Sequence, residues 1–191
     1  MVLKASMNSS KKIFVWVVLS FFCSQITYAV TVDTKSYDPA CGVGVKVAGK
    51  TLVIGWDTPE GSTELTLNLS GQGALVRSVA VAPGKGKLIE VIRDINPVTV
   101  LTVGQRDLNK RSGWTIFFDR TSRKPSESGP LTLKLKSVIV RSVGRRCIVD
   151  LDELVGESFS GKLRFIIYDG CDLIHLQSVV QTKEDARALL Y

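Results

Sequence analysis

Any chemistry this chain performs has to be built from a small kit. It has one histidine, His175, so a serine or cysteine nucleophile would depend on that imidazole as its base. No Gly-x-Ser-x-Gly elbow accompanies it, and neither an α/β setting nor the chain order serine, acid, histidine supports a triad. A lone histidine in a strand pattern reads first as structural. Asp150, Asp152 and Glu153 cluster at the end of the strand pattern that begins at Cys147. Carboxylates flanking a cleft about 5–10 Å wide can hydrolyse glycosidic bonds. Acids at strand ends more often make turns and keep a surface wet. The run Gly84-Lys85-Gly86-Lys87 imitates a phosphate loop but lacks its spacing and a following helix, so a hairpin turn explains it better. There is no Cys-x-x-Cys, and His175 stands alone near Cys171, so neither a metal nor a cofactor is expected.

Binding is better served than catalysis. If Asp169–Asp172 is a hairpin turn, Ile167 faces Ile174, Ile166 faces His175, Phe165 faces Leu176 and Arg164 faces Gln177. Side chains alternate between faces, so Phe165, Ile167, Ile174 and Leu176 belong to a core face. Arg164, Tyr168, His175 and Gln177 share the other. A cation, a ring and hydrogen-bonding groups on one face suit a sugar, with the arginine pairing acidic groups and the ring stacking. Trp56 precedes Asp57-Thr58-Pro59 at a strand end and is expected to be an exposed ring, completing the candidate set. Trp114 opens the apolar run Trp114–Phe118 and reads as core.

The elements that must position these residues are strands. Apolar and β-branched stretches recur at Gly42–Val47, Thr51–Trp56, Thr63–Leu69, Ala74–Ala82, Lys87–Arg93 and Val98–Val103. They continue at Leu131–Val143, Cys147–Leu151, Lys162–Tyr168 and Leu173–Gln181, with Gly- and Pro-containing turns between them. Short strands at this spacing predict an all-β, antiparallel sandwich in a single domain over residues 30–191. In Leu131–Val143 the apolar phase slips between Leu135 and Val138, which predicts a β-bulge near Lys136–Ser137. Arg120–Pro130 reads as the longest loop. Thr182, with Asp185 three residues on, resembles a capping box and predicts a short C-terminal helix over Lys183–Leu190.

The start of the chain sets the compartment. Lys4, Lys11 and Lys12 precede an apolar run from Ile13 to Phe22, and Thr27-Tyr28-Ala29 ends a polar stretch with small residues where a signal peptidase cuts. The reading is a signal peptide over residues 1–29, cleaved after Ala29, and a secreted or periplasmic product. The apolar run is shorter than the roughly 20 residues a membrane span needs, so no stable span is expected after cleavage. The formal net charge is +7, and the leader holds three of the lysines and none of the acids. The remaining positive charge is concentrated between Arg106 and Arg146, opposed there only by Asp107, Asp119 and Glu127. That asymmetry suits an acidic partner, while nucleic acid is a poor match for an exported chain without a recognition motif. Cys41, Cys147 and Cys171 remain after cleavage, allowing at most one internal disulfide, in any of three pairings, with one free thiol or a link to another chain. Asn68-Leu69-Ser70 fits a glycosylation acceptor within a strand pattern.

The C-terminal third, through Gly161-Lys162-Leu163-Arg164-Phe165, Asp169-Gly170, Leu173-Ile174-His175 and Thr182-Lys183-Glu184-Asp185, resembles mutarotase-like β-supersandwich domains of bacterial secreted carbohydrate-active proteins. The resemblance implies a polysaccharide-facing cleft of strand faces and loops, and it carries no catalytic residue across. Such supersandwiches are usually longer than this chain. Together these features lead to an exported, non-catalytic sandwich that binds carbohydrate or another extracellular polymer. The alternatives are a carbohydrate-active hydrolase, lyase or epimerase, or a fragment of one, and an envelope assembly protein that pairs through sheet edges.

Overall fold

The computed structural model describes residues 30–105 and 126–190. The leader, the six basic residues from Arg106 to Lys124 and the Trp114–Phe118 run lie outside them. Every regular element described is a strand except a 3₁₀ turn at Pro39–Cys41. Among the described residues no helix is long and apolar enough to cross a membrane.

Among the described residues thirteen strands form three sheets. Sheet A has the order β1-β9-β10-β11-β12, built from Thr31–Ser36, Thr132–Ser142, Arg146–Val155, Ser160–Tyr168 and Ile174–Gln181. Sheet B is a meander, β2-β3-β4-β5-β6, built from Val43–Ala48, Thr51–Thr58, Gly61–Asn68, Val76–Pro83 and Ile89–Ile95. A third, small sheet has the order β13-β7-β8, from Arg187–Leu190, Val100–Gln105 and Ser126–Pro130. The all-β sandwich expected from turn spacing is therefore what the chain forms. Among the described strands the one parallel pair is β1 with β9.

Alternation builds the core between sheets A and B. Leu52, Ile54 and Trp56 of β3 and Leu65 and Leu67 of β4 meet Val138 and Val140 of β9, Val149 and Leu151 of β10, and Leu163, Phe165 and Ile167 of β11. The phase slip in β9 has the predicted cause: Asp152 pairs with Ser137 while Leu154 pairs with Leu133, so β9 carries extra residues there. Leu133 and Val138 both reach the core because of it.

Two expectations are corrected. The C-terminal segment makes no helix. Thr182 Oγ1 accepts the Glu184 N–H at 3.1 Å, two residues on, and Ala186 takes φ 57°, turning the chain so that β13 pairs with β7. A helix of two turns has little stability of its own, and an edge offering free backbone partners outcompetes it. Of the loop expected over Arg120–Pro130, residues 120–125 lie outside the described residues, and Ser126–Pro130 is not loop but forms β8 on the other edge of β7. Its small polar residues carry no strand periodicity, and Pro130 is tolerated at the end of an edge strand.

Candidate functional site

The β11–β12 hairpin has the register read from its turn: Ile167 pairs with Ile174, Ile166 with His175, Phe165 with Leu176 and Arg164 with Gln177. Extending that register across β10 and β9 gives the outer face of sheet A as rows. Ile139, Asp150, Arg164 and Gln177 form one row, and Arg141, Ile148, Ile166 and His175 form the next. Tyr168 follows, opposite Arg146. Arg164, Tyr168, His175 and Gln177 therefore share a face. His175 is exposed, and Tyr168 and Gln177 are half-buried.

The centre of that face is a carboxylate the sequence did not single out as its organiser. Asp150 is 3 % exposed although it points away from the core. Arg164 donates to it from Nε at 2.5 Å and from Nη2 at 3.0 Å. Lys162 Nζ stands 3.0 Å from Oδ2, and Arg141 Nε stands 4.0 Å from the same oxygen. Burial pushes the Asp150 carboxyl up, but hydrogen bonds and charge from Arg164 and Lys162 outweigh it and hold the group below its ordinary value. Such a carboxylate is suited to anchoring cations and poorly suited to acting as a general acid. The signal for this cluster was the Lys162-x-Arg164 spacing, which puts two cations on one face beside Asp150 in the neighbouring strand. Of the other acids, Glu153 pairs with Lys136 at 2.9 Å.

Trp56 is not the exposed ring expected. It is 3 % exposed, and its Nε1 donates to the Cys171 carbonyl at 2.7 Å. β3 runs on to Thr58, past the apparent turn, so Trp56 stays in phase with Leu52 and Ile54 and faces inward. Leu176 differs the other way: it lies on the core face with Phe165 yet is 40 % exposed, at the edge of sheet A.

A pocket of about 380 Å³ on the outer face is bordered by Ile139, Asp150, Asp152, Lys162 and Val179. A cavity of about 740 Å³ lies elsewhere, between the Asn68–Leu75 turn and the β9 bulge. Its asparagines are committed to backbone: Asn68 Nδ2 donates to the Gln72 and Ala74 carbonyls at 2.6 and 3.2 Å, and Asn96 Oδ1 accepts the Leu75 N–H at 2.7 Å. The same bonds tie up the amide of the Asn68-Leu69-Ser70 acceptor. Among the described residues no group of three His, Cys, Asp or Glu side chains is arranged to hold a metal.

No protein-family model matches the chain, and no match was found among curated proteins or solved structures.

Proposed function

We propose that this protein is an exported, non-catalytic β-sandwich module that binds an extracellular polymer on the outer face of sheet A, with acidic polysaccharide as the ligand class. The observation that supports this reading is the excess of cations around Asp150. Arg141, Lys162 and Arg164 share that single buried carboxylate, which fixes the cations in place, and with the exposed Asp152 opposite Lys162 the patch still holds three cations against two acids. The Arg164 guanidinium carries more N–H donors than Asp150 uses, and Tyr168, His175 and Gln177 add a ring and hydrogen-bonding groups beside it. Organised cations of this kind recognise carboxylates or sulfates, and the ring packs on a sugar face.

The test is binding to neutral and acidic polysaccharides at low and moderate salt. Exposed charge attraction is screened over about 10 Å at 0.1 M salt, so binding to acidic glycans is expected to weaken steeply as salt rises. Arg141→Gln with Lys162→Gln, which keeps the Arg164–Asp150 pair, is expected to weaken binding about tenfold or more. Salt-insensitive binding to neutral glycans would move the site to the aromatic groups.

A second reading, an envelope assembly protein, has its own observation. β6 is an edge strand of sheet B with every residue exposed, including Ile89 (57 %), Ile92 (39 %) and Ile95 (46 %). Those three pair with Val81, Val79 and Val76 of β5 across an irregular register, so an apolar stripe continues to an edge that no other described strand covers. Soluble proteins usually blunt such edges, and an extended segment of a partner chain would complete the sheet by strand addition. Loss of all polysaccharide binding, together with cross-linking to a partner abolished by Ile89→Lys/Ile92→Lys, would put this reading first. A strictly monomeric protein without a cross-linked partner would remove it.

A further inference from the structure

We propose, resting on the export reading, that Cys41 and Cys147, which stand as buried free thiols in this structure, become the disulfide pair of this chain on oxidation, a covalent staple between the two sheets of the sandwich, and that Cys171 is the odd thiol. Composition leaves three pairings open, and the fold separates them. Cys41 ends the 3₁₀ turn between β1 and β2, at the margin of sheet B, and Cys147 lies at the start of β10 in sheet A. A hydrogen-bonded bridge fastens these two places together. Ser142 stands opposite Cys147 in the β9–β10 register. Its Oγ accepts the Asp38 N–H at 3.0 Å and donates to the Asp38 carbonyl at 2.9 Å. Asp38 caps the turn, and the Cys41 N–H returns to the Asp38 carbonyl at 3.2 Å.

Both side chains then enter the same core. Cys41 is 3 % exposed and Cys147 fully buried, and both belong to the apolar cluster between the sheets. Tyr37 packs against the same cluster: its hydroxyl donates to the Val43 carbonyl at 2.7 Å, the carbonyl that also accepts the Cys41 thiol at 3.7 Å, and burial first, then charge on Cys41 and Cys147, raises its pKa. Cys171 is placed differently. It sits half-exposed in the β11–β12 turn, outside that cluster, where its carbonyl receives the Trp56 indole.

The oxidant required is an external disulfide, of the small-molecule or thiol-oxidoreductase class. One cysteine thiolate attacks it, forming a mixed disulfide and expelling one thiolate. The second cysteine thiolate then attacks the protein sulfur of that mixed disulfide, making the Sγ–Sγ bond and expelling the other. The two cysteine protons pass through solvent to the expelled thiolates, and the external disulfide, having taken two electrons, ends as two thiols. Burial, with the neighbouring Cys41, pushes the Cys147 thiol up to about 12. The packed, reduced protein is therefore a poor source of the thiolate, and exchange belongs to the stage before the core closes.

The test refolds the reduced, denatured full chain with oxidised glutathione and maps its unreduced peptides by mass spectrometry. The expected product is a cross-linked peptide pair containing Cys41 and Cys147, two hydrogens lighter than the separate peptides. A cross-link of this span is expected to raise the melting temperature by about 5–15 °C over the reduced protein. Cys171→Ser should leave both results intact, whereas Cys147→Ala should remove the cross-link and the sensitivity to reductant. Alkylating the folded, reduced protein should label Cys171 first. Cys171 joined to either other cysteine overturns the proposal, as does a refolded protein with all three thiols free.

Discussion

Asp150 and Arg164 stand opposite each other in the β10–β11 register and meet through two hydrogen bonds, Nε to Oδ1 at 2.5 Å and Nη2 to Oδ2 at 3.0 Å. The carboxylate is buried while its cations reach solvent along their own stems, so the two ends of the pair are not equivalent. Removing Arg164 leaves Asp150 with Lys162 and Arg141. Removing Asp150 leaves three cations on one patch with only the exposed Asp152, cross-strand from Lys162, as counter-charge.

Asp150→Asn is therefore expected to destabilise the protein by about 1–3 kcal/mol at neutral pH, measured by urea unfolding. Because the folded-state pKa of Asp150 is lowered, its contribution is fully present above the unfolded value of about 3.9. The contribution is lost as pH falls through the lower, folded value. The stability difference between the parent and Asp150→Asn should thus be flat from about pH 7 to 5 and shrink below about pH 4. A gap that persists unchanged into strong acid would mean that the ionised carboxylate is not what stabilises this face.

Strand pattern and turn chemistry were enough to read the sandwich, the β9 bulge and the hairpin register, because each depends on neighbours in sequence. Ile167 opposite Ile174 follows from the length of the Asp169–Asp172 turn, and the inward phase of Val138 and Val140 follows from alternation. What was not legible depends on contacts far along the chain. β13 exists because β7 offers it an edge, and β8 exists for the same reason on the other side, so neither is encoded in its own periodicity. The organising role of Asp150 needs β9 and β11 on either side of β10. Read along the chain, it is one acid among three.

Trp56 offers a check on the corrected placement. Its indole is buried, and its N–H is spent on the Cys171 carbonyl. Trp56→Phe keeps most of the apolar volume and drops the donor, so it is expected to cost about 1–2 kcal/mol. Trp56→Ala also opens a cavity and should cost about 3–5 kcal/mol. If both variants lie within about 0.5 kcal/mol of the parent, in the range of surface substitutions, the tryptophan is not a core residue.

Gly42 is required for two reasons. Its φ of 82° lies in the left-handed region, and a Cβ there would stand only 2.4 Å from Asp169 Cγ. Asp169 is in turn held by Arg145 Nε at 3.0 Å, so it cannot swing away without losing that contact. Gly42→Ala is expected to cost about 1–3 kcal/mol. The clash disappears when Asp169 is truncated, so Gly42→Ala/Asp169→Ala should cost less than the sum of the single changes. Simple additivity would leave backbone strain as the whole effect.

Gly161 separates steric exclusion from backbone strain more cleanly. It pairs with Val180 across β11 and β12, and a Cβ would fall 1.9 Å from the Val179 carbonyl oxygen and 2.8 Å from Val180 Cα. Unlike the Asp169 carboxylate beside Gly42, these are backbone atoms of the adjacent strand, and no rotamer change relieves them. Gly161→Ala must push β12 away from β11 at the end of the hairpin nearest Gln181. Its cost is expected at or above the upper end of about 1–3 kcal/mol. Hydrogen exchange should locate the damage, with protection falling in Ile174–Gln181 while β3 and β4 stay protected. A uniform loss across both sheets would mean that β12 cannot loosen without the whole sandwich, and that its outer face is not an independently deformable part of sheet A.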